Sequence, residues 1–172
     1  MLTPTQLAAL KADILADQSL SSQPMNSDGA FAIAAVYNQN AAPDFWVWRT
    51  YVLKHEIVQQ TSRNGTNFIW AGNGFITRST GEQTAWHELF NSDLACNPSL
   101  LNVRQAFIDI FSGAGNAASN RTHLDAVSRR KATRAEKLFS TGTGLDTSAV
   151  AATMSFEGML TYQDVEQARS LP

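Results

Sequence analysis

The chain has 172 residues, with 13 Lys or Arg against 15 Asp or Glu and a formal net charge of −2. This length suits a single domain with a substantial core, and the near-zero charge excludes a whole-molecule attraction to nucleic acid or anionic membrane, so any such attraction must be local. A single cysteine, Cys96, excludes an internal disulfide framework and a cysteine-based zinc site.

The longest apolar run is too short to span a bilayer, and the N-terminal residues lack the basic and apolar regions of a signal peptide. The expected product is therefore soluble, stays where it is made and makes no membrane contact. Charged residues are only 16% of the chain, while Asn, Ser, Thr, Gln and Ala are plentiful. A polar but uncharged surface of this kind points to burial against neighbours.

The opening predicts a helix from Met1 to Asp17. Thr3 is its cap, Pro4 its first position, Gln6 stands at the capping-box position, and Leu7, Leu10 and Ile14 form the inner stripe. A loop from Ser19 to Pro24 leads to an alanine-rich helix capped at Asn26 or Ser27 and running to Tyr37. Past a turn at Asn38–Pro43, the rings of Phe45, Trp46, Trp48 and Tyr51 crowd together. They are read as core mass or a subunit contact in preference to a ligand-stacking platform. A helical run with Val52, Leu53, Ile57 and Val58 follows.

From Arg63 to Gly81 the turn signals Asn64-Gly65 and Gly72-Asn73-Gly74 separate β-prone runs, which predicts a short β-hairpin at about 64–78 or an extended loop. Thr80 and Gln83 have capping-box spacing and open a helix to Asn91, with Trp86, Leu89 and Phe90 inward. Asn97-Pro98 reads as the start of the strongest helix, whose apolar positions are Leu101, Ile108 and Phe111 with Leu100, Val103 and Phe107 beside them, ending at Ser112–Gly115. Further helices are expected from about Asn116 to Arg130 and from Thr133, boxed by Glu136, to near Gly142. Ser140 to Ala152 reads as a Gly/Ser/Thr-rich loop or arm, followed by a short extended segment around Met154 and Phe156 and a last helix capped by Thr161 with Asp164.

The fold expected from these elements is mainly α. It is a single-domain helical bundle over 1–139, with the loop or hairpin insertion at about 63–81 and a flexible, extended C-terminal arm over 140–172.

The chemical motifs are sparse. His55-Glu56 and His87-Glu88 lack the second histidine that a helical zinc site needs. Cys96 before an Asn-Pro cap reads as buried filler. Ser112-Gly113-Ala114-Gly115 follows a helix and lacks the Gly-Lys-Ser/Thr ending of a phosphate loop. The carboxylates form no close pair. No catalytic residue, metal ligand or cofactor is therefore assigned, and the chain is read as a non-enzyme.

The clearest cluster is basic: Arg121, Arg129, Arg130, Lys131, Arg134 and Lys137, six of the chain's 13 basic residues. Three readings stand for it: a solvated helix face, a salt-sensitive contact to nucleic-acid phosphates, or an interface to acidic surface on a neighbouring subunit. The cluster alone does not choose between them.

Met1-Leu2-Thr3-Pro4-Thr5-Gln6-Leu7, Leu10 through Asp17, Trp48-Arg49-Thr50, the block Lys131 through Phe139, Phe156-Glu157-Gly158 and Tyr162-Gln163-Asp164-Val165 together resemble a group of small proteins encoded in the structural gene region of tailed bacteriophages and prophages. Residues 63–81 depart from that pattern. The resemblance implies a virion protein made in the host bacterial cytoplasm, foremost a head–tail connector subunit of adaptor or head-completion type, forming a homo-oligomeric ring between portal and tail. A capsid decoration or minor capsid protein is the alternative, and a virion-borne enzyme the third. On this reading the six basic residues meet acidic neighbours, including portal, tail or adjacent connector proteins, or make non-specific contact with packaged DNA. Met154, Phe156, Leu160, Tyr162 and Val165 would dock the arm on an adjacent subunit.

Overall fold

The structure, a computed structural model, describes residues 1–90, 94–147 and 151–172. In chain order its elements are α1 (Pro4–Ala16), α2 (Gln18–Ser21), α3 (Ser27–Tyr37), β1 (Trp46–Trp48), β2 (Val52–Leu53), α4 (Lys54–Gln59), a 3-10 turn (Gly72–Gly74), α5 (Thr80–Glu88), β3 (Ala95–Cys96), α6 (Leu101–Ile110), α7 (Asn116–Val127), β4 (Arg129–Lys131), α8 (Arg134–Leu138), β5 (Ser140–Thr141), β6 (Thr153–Met154) and α9 (Tyr162–Ser170). The protein is thus mainly α, with strands of only two or three residues among the described ones. The chain divides into two compact units, Met1–Val47 with Lys131–Pro172, and Trp48–Arg130. This division differs from the core and arm expected from the sequence.

In the first unit α1 starts as its sequence dictates. The Thr3 hydroxyl accepts from the Gln6 amide at 3.3 Å and the Gln6 side chain accepts from the Thr3 amide at 2.9 Å, so two of the helix's unpaired donors are satisfied. Asn26 caps α3 in the same manner through the Gly29 amide, at 3.0 Å. Gly29 is required there, because a Cβ would stand 2.1 Å from the Pro24 carbonyl oxygen. The faces of α1 and α3 bury Leu10, Ile14, Ile33 and Tyr37 against Leu160, Val165 and Ala168. Each large aliphatic in that core contributes about 1.5–3 kcal/mol of burial.

The C-terminal residues close this core and do not form an extended arm. Thr161 and Asp164 make the expected capping box, and α9 packs on α1 and α3. The Asn38 side chain, at the end of α3, donates to the Leu160 carbonyl at 2.9 Å and accepts from the Leu160 amide at 2.8 Å, as a partner strand would. Arg169 donates to the Gln23 and Pro24 carbonyls at 2.7 and 2.8 Å. The physical reason lies in Val165 and Ala168, three apart on one face of α9, with Leu160 just ahead of the helix, all three of them buried. That is too much apolar surface to leave in water. β5 and β6 pair antiparallel, Ser140 opposite Met154, within the stretch expected as a loose loop; residues 148–150 of that stretch lie outside the described structure.

The second unit is built on rings. Phe68, Phe75, Trp86, Phe90 and Phe111 pack edge to face and stacked at centroid distances of 4.7–6.3 Å, with Val52, Ile57, Ile110 and Leu124 around them. Among the described residues no strand forms at 64–78, where a hairpin was an option. The segment is coil with the 3-10 turn, because its backbone groups are taken by a side chain. Asn120, fully buried on α7, accepts from the Ile69 amide at 2.8 Å and donates to the carbonyls of Ile69 at 3.0 Å and Gly74 at 2.9 Å. Gly74 is obligatory, since a Cβ would lie 2.2 Å from the Ile69 carbonyl oxygen. His123, also buried, meets the Ile57 carbonyl at Nε2 (2.7 Å), and its Nδ1 lies 3.2 Å from the Thr66 hydroxyl.

Helix boundaries shift in several places: α2 enters the expected loop at 19–24, Val52–Leu53 is strand where helix was expected, and α8 ends at Leu138, short of Gly142. α5 is capped by Ser79 with Glu82, one residue before the Thr80/Gln83 pair, and the expected end at Asn91 lies outside the described residues. α6 begins at Leu101 and not at Pro98, because Asn97 is spent on a turn, accepting from the Ser99 amide at 3.0 Å and its hydroxyl at 2.6 Å. α7 stops at Val127, and Arg129 and Arg130, read as the helix end, lie in strand β4.

Candidate functional site

The six basic residues do not form one helix face. Arg121, on α7, donates to the carbonyl of Phe111 and so closes the end of α6. Arg129 is 8% exposed. Its Nε donates to the Asp125 carbonyl at 3.0 Å and its guanidinium lies 5.7 Å from the Trp48 ring centre. Arg130 is half-buried beside it in β4. Lys131 pairs with Asp44 at 2.7 Å and lies 5.9 Å from the Trp46 ring centre.

Arg134 makes the densest polar network. It reaches Asp17 and Asp13 at 3.0 Å each and lies 4.8 Å from the centre of the Tyr37 ring, while the Tyr37 hydroxyl donates to Asp13 at 2.5 Å. Burial lowers the Arg134 pKa, but the hydrogen bonds to Asp13 and Asp17 outweigh it, and the net shift is upward. Ser19 and then Arg134 hold Asp17 below the usual carboxylate range. Burial and the Asp13 contact push Tyr37 well above a free phenol. The network is a clamp between α8 and α1.

Lys137 is different. Its ammonium lies 5.7 Å from the Phe45 ring centre and, among the described residues, meets no carboxylate. With Arg134 it lines an open cleft of ≈590 Å³ in the first unit, whose apolar walls are Val36, Ala41, Ala42 and Leu138. Among the described residues, it is a cation of the basic set that no carboxylate engages.

The five residues expected to dock an arm elsewhere are engaged by their own unit. Leu160 and Val165 are core. Phe156 meets Phe139 edge to face at 5.5 Å, Tyr162 stacks on Phe31 at 4.2 Å, and Met154 packs beside Val47, Ala132 and Ala152. Phe31 and Met159 remain exposed beside the Tyr162 ring.

The sequence placed Leu100, Leu101 and Ile108 with the inner face of α6, and the structure turns them outward. Val103, Ala106, Phe107 and Ile110 pack inward, while Leu101 is 71% and Ile108 52% exposed. Leu101 and Ile108 are two helical turns apart on one stripe, with Gln105 and Asp109 beside them, all exposed. The signal was present in the spacing. Residues 103, 107 and 110 form one arc and 101, 105 and 108 another, and the larger, aromatic arc claims the core.

Among the described residues no group of His, Cys, Asp and Glu could hold a metal ion, and no helix is long and apolar enough to cross a membrane. Cys96 is buried, and burial pushes its thiol up to about 12, so it is no nucleophile near neutral pH. No protein-family model matches the chain, and neither a curated protein nor a solved structure matches it.

Proposed function

We propose that the protein is a non-enzymatic structural subunit of a tailed-phage virion, a head–tail connector that assembles as a ring between portal and tail. The reading rests on the resemblance carried by residues 1–7, 10–17, 48–50, 131–139, 156–158 and 162–165 to small phage structural proteins. The observation that supports it is the exposed stripe Leu101–Ile108 on α6, apolar surface that a subunit covers on assembly. Ring contacts are heterologous and close by rotation, so one such face serves every neighbour. Within this reading Lys137 is a cation for acidic neighbours or lumen DNA, and Arg129 and Arg134 hold the fold.

Quantitative mass spectrometry of purified particles tests the proposal. A copy number equal to one ring per particle is expected. Hundreds of copies spread over the head would make it a decoration protein, and absence from particles would end the virion reading altogether.

A further inference from the structure

Two features of the chain are complementary and lie on different units. The stripe on α6 presents Leu101 and Ile108, about 10.5 Å apart along the helix at 1.5 Å per residue, with the Asp109 carboxylate on its flank. Asp109 accepts from Gln105 Nε2 at 2.8 Å and, among the described residues, meets no cation. The ≈590 Å³ cleft beside α8 offers a counterpart: side chains of Val36, Ala41, Ala42 and Leu138 stand with Gln39, Asn40 and the Asp13–Arg134 pair around the Lys137 ammonium, which meets no carboxylate among the described residues.

We infer that the α6 stripe of one copy seats in the Lys137 cleft of the next, with Asp109 pairing to Lys137. This deepens the proposed ring by naming its contact. A second copy is the occupant because one chain carries both halves: among the described residues, Asp109 is an anion that meets no cation beside exposed aliphatic side chains, and Lys137 a cation that meets no carboxylate in a partly aliphatic cleft. Stripe and cleft are different surfaces, so a copy seated through its stripe still offers its cleft to another, and the proposed ring repeats this contact head to tail. The charge pair sets register and the aliphatic side chains supply the burial. A contact this small is below the usual size of a stable interface, so association is concentration-dependent.

Sedimentation velocity of the purified full chain over a concentration series is the test, with circular dichroism confirming that each variant is folded. Self-association of the unaltered chain is expected. Lys137→Glu and Asp109→Lys should each weaken it by about tenfold or more, since each sets like charges face to face. The double variant restores the pair in reverse and should recover most of the loss. Leu101→Ser, which leaves both charges in place, should weaken association as well. A chain that stays monomeric throughout, single reversals without effect, or a double variant no better than the singles would each overturn the contact. A chain found in particles but failing this test loses the contact alone; one that passes it and is absent from particles loses the virion reading alone.

Discussion

Replacing Asn120 with alanine should unfold the second unit at much lower denaturant than any other single polar substitution on α7. Its amide satisfies three backbone groups of the 69–74 loop, at 2.8, 3.0 and 2.9 Å. Leaving a buried polar group unpaired costs about 1–3 kcal/mol. Gly74 is buried and Ile69 half-buried, so one group bears most of that penalty and the other two bear the lower end. The sum is about 3–5 kcal/mol. With a urea slope of about 2 kcal/mol per molar, the midpoint should fall by about 2 M. Tryptophan fluorescence is the readout, because Trp86 sits fully buried in the ring cluster of this unit. Asn120→Asp should be no milder, since it keeps the Ile69 amide but turns an anion toward two carbonyl oxygens. Asn116→Ala is the control: that amide makes one exposed bond to the Ala71 carbonyl, at 3.0 Å, and its loss should cost about 0.5–1 kcal/mol. If Asn120→Ala proves no worse than Asn116→Ala, a side-chain amide does not organise this loop and the account of the missing hairpin fails.

Val165→Ala should destabilise the first unit by about 2 kcal/mol in thermal melts, through lost burial and a residual cavity, whereas the neighbouring exposed Glu166→Ala should stay within about 0.5 kcal/mol. Equal effects would mean that the C-terminal helix is not part of the core. Glu56 gives a pH dependence. Burial raises its pKa, but the Leu53 amide and Arg49 more than offset this, and the folded value lies below the ordinary 4.5. A depressed carboxylate contributes stability above its unfolded pKa that is lost as pH falls through the folded one. Stability should therefore drop below about pH 4.5, and Glu56→Gln should flatten that slope; an unchanged slope refutes the assignment. Cys96, buried and with its thiol pushed up to about 12, should resist a thiol reagent at neutral pH until denaturant is added. Rapid labelling of the folded chain would contradict its burial.

Local signals in the chain were read well where a few neighbouring residues decide the outcome. Thr3, Asn26, Thr133 and Thr161 cap the helices expected of them, because a cap needs only a short side chain and nearby amides. What depends on distant partners was not legible. Asn120 stands 51 residues from Ile69, and nothing in either stretch announces the bond that replaces a hairpin. Arg134 finds Asp13 and Asp17 across more than a hundred residues, so a cluster that is basic in sequence becomes a set of local clamps, with Lys137 left over. The C-terminal segment looked pliable from its Gly, Ser and Thr content, yet Leu160, Val165 and Ala168 are core, because a small unit has little apolar surface to spare. The α6 stripe was read inward because both of its arcs are apolar, and only competition with the aromatic arc decides which one is buried.

The most direct test of the central claim is a cryo-electron microscopy reconstruction of the particle neck without imposed symmetry. The account predicts a ring of density at the head–tail junction into which the two units, Met1–Val47 with Lys131–Pro172 and Trp48–Arg130, fit individually. A neck fully explained by other chains, with no density that accepts either unit, would contradict it.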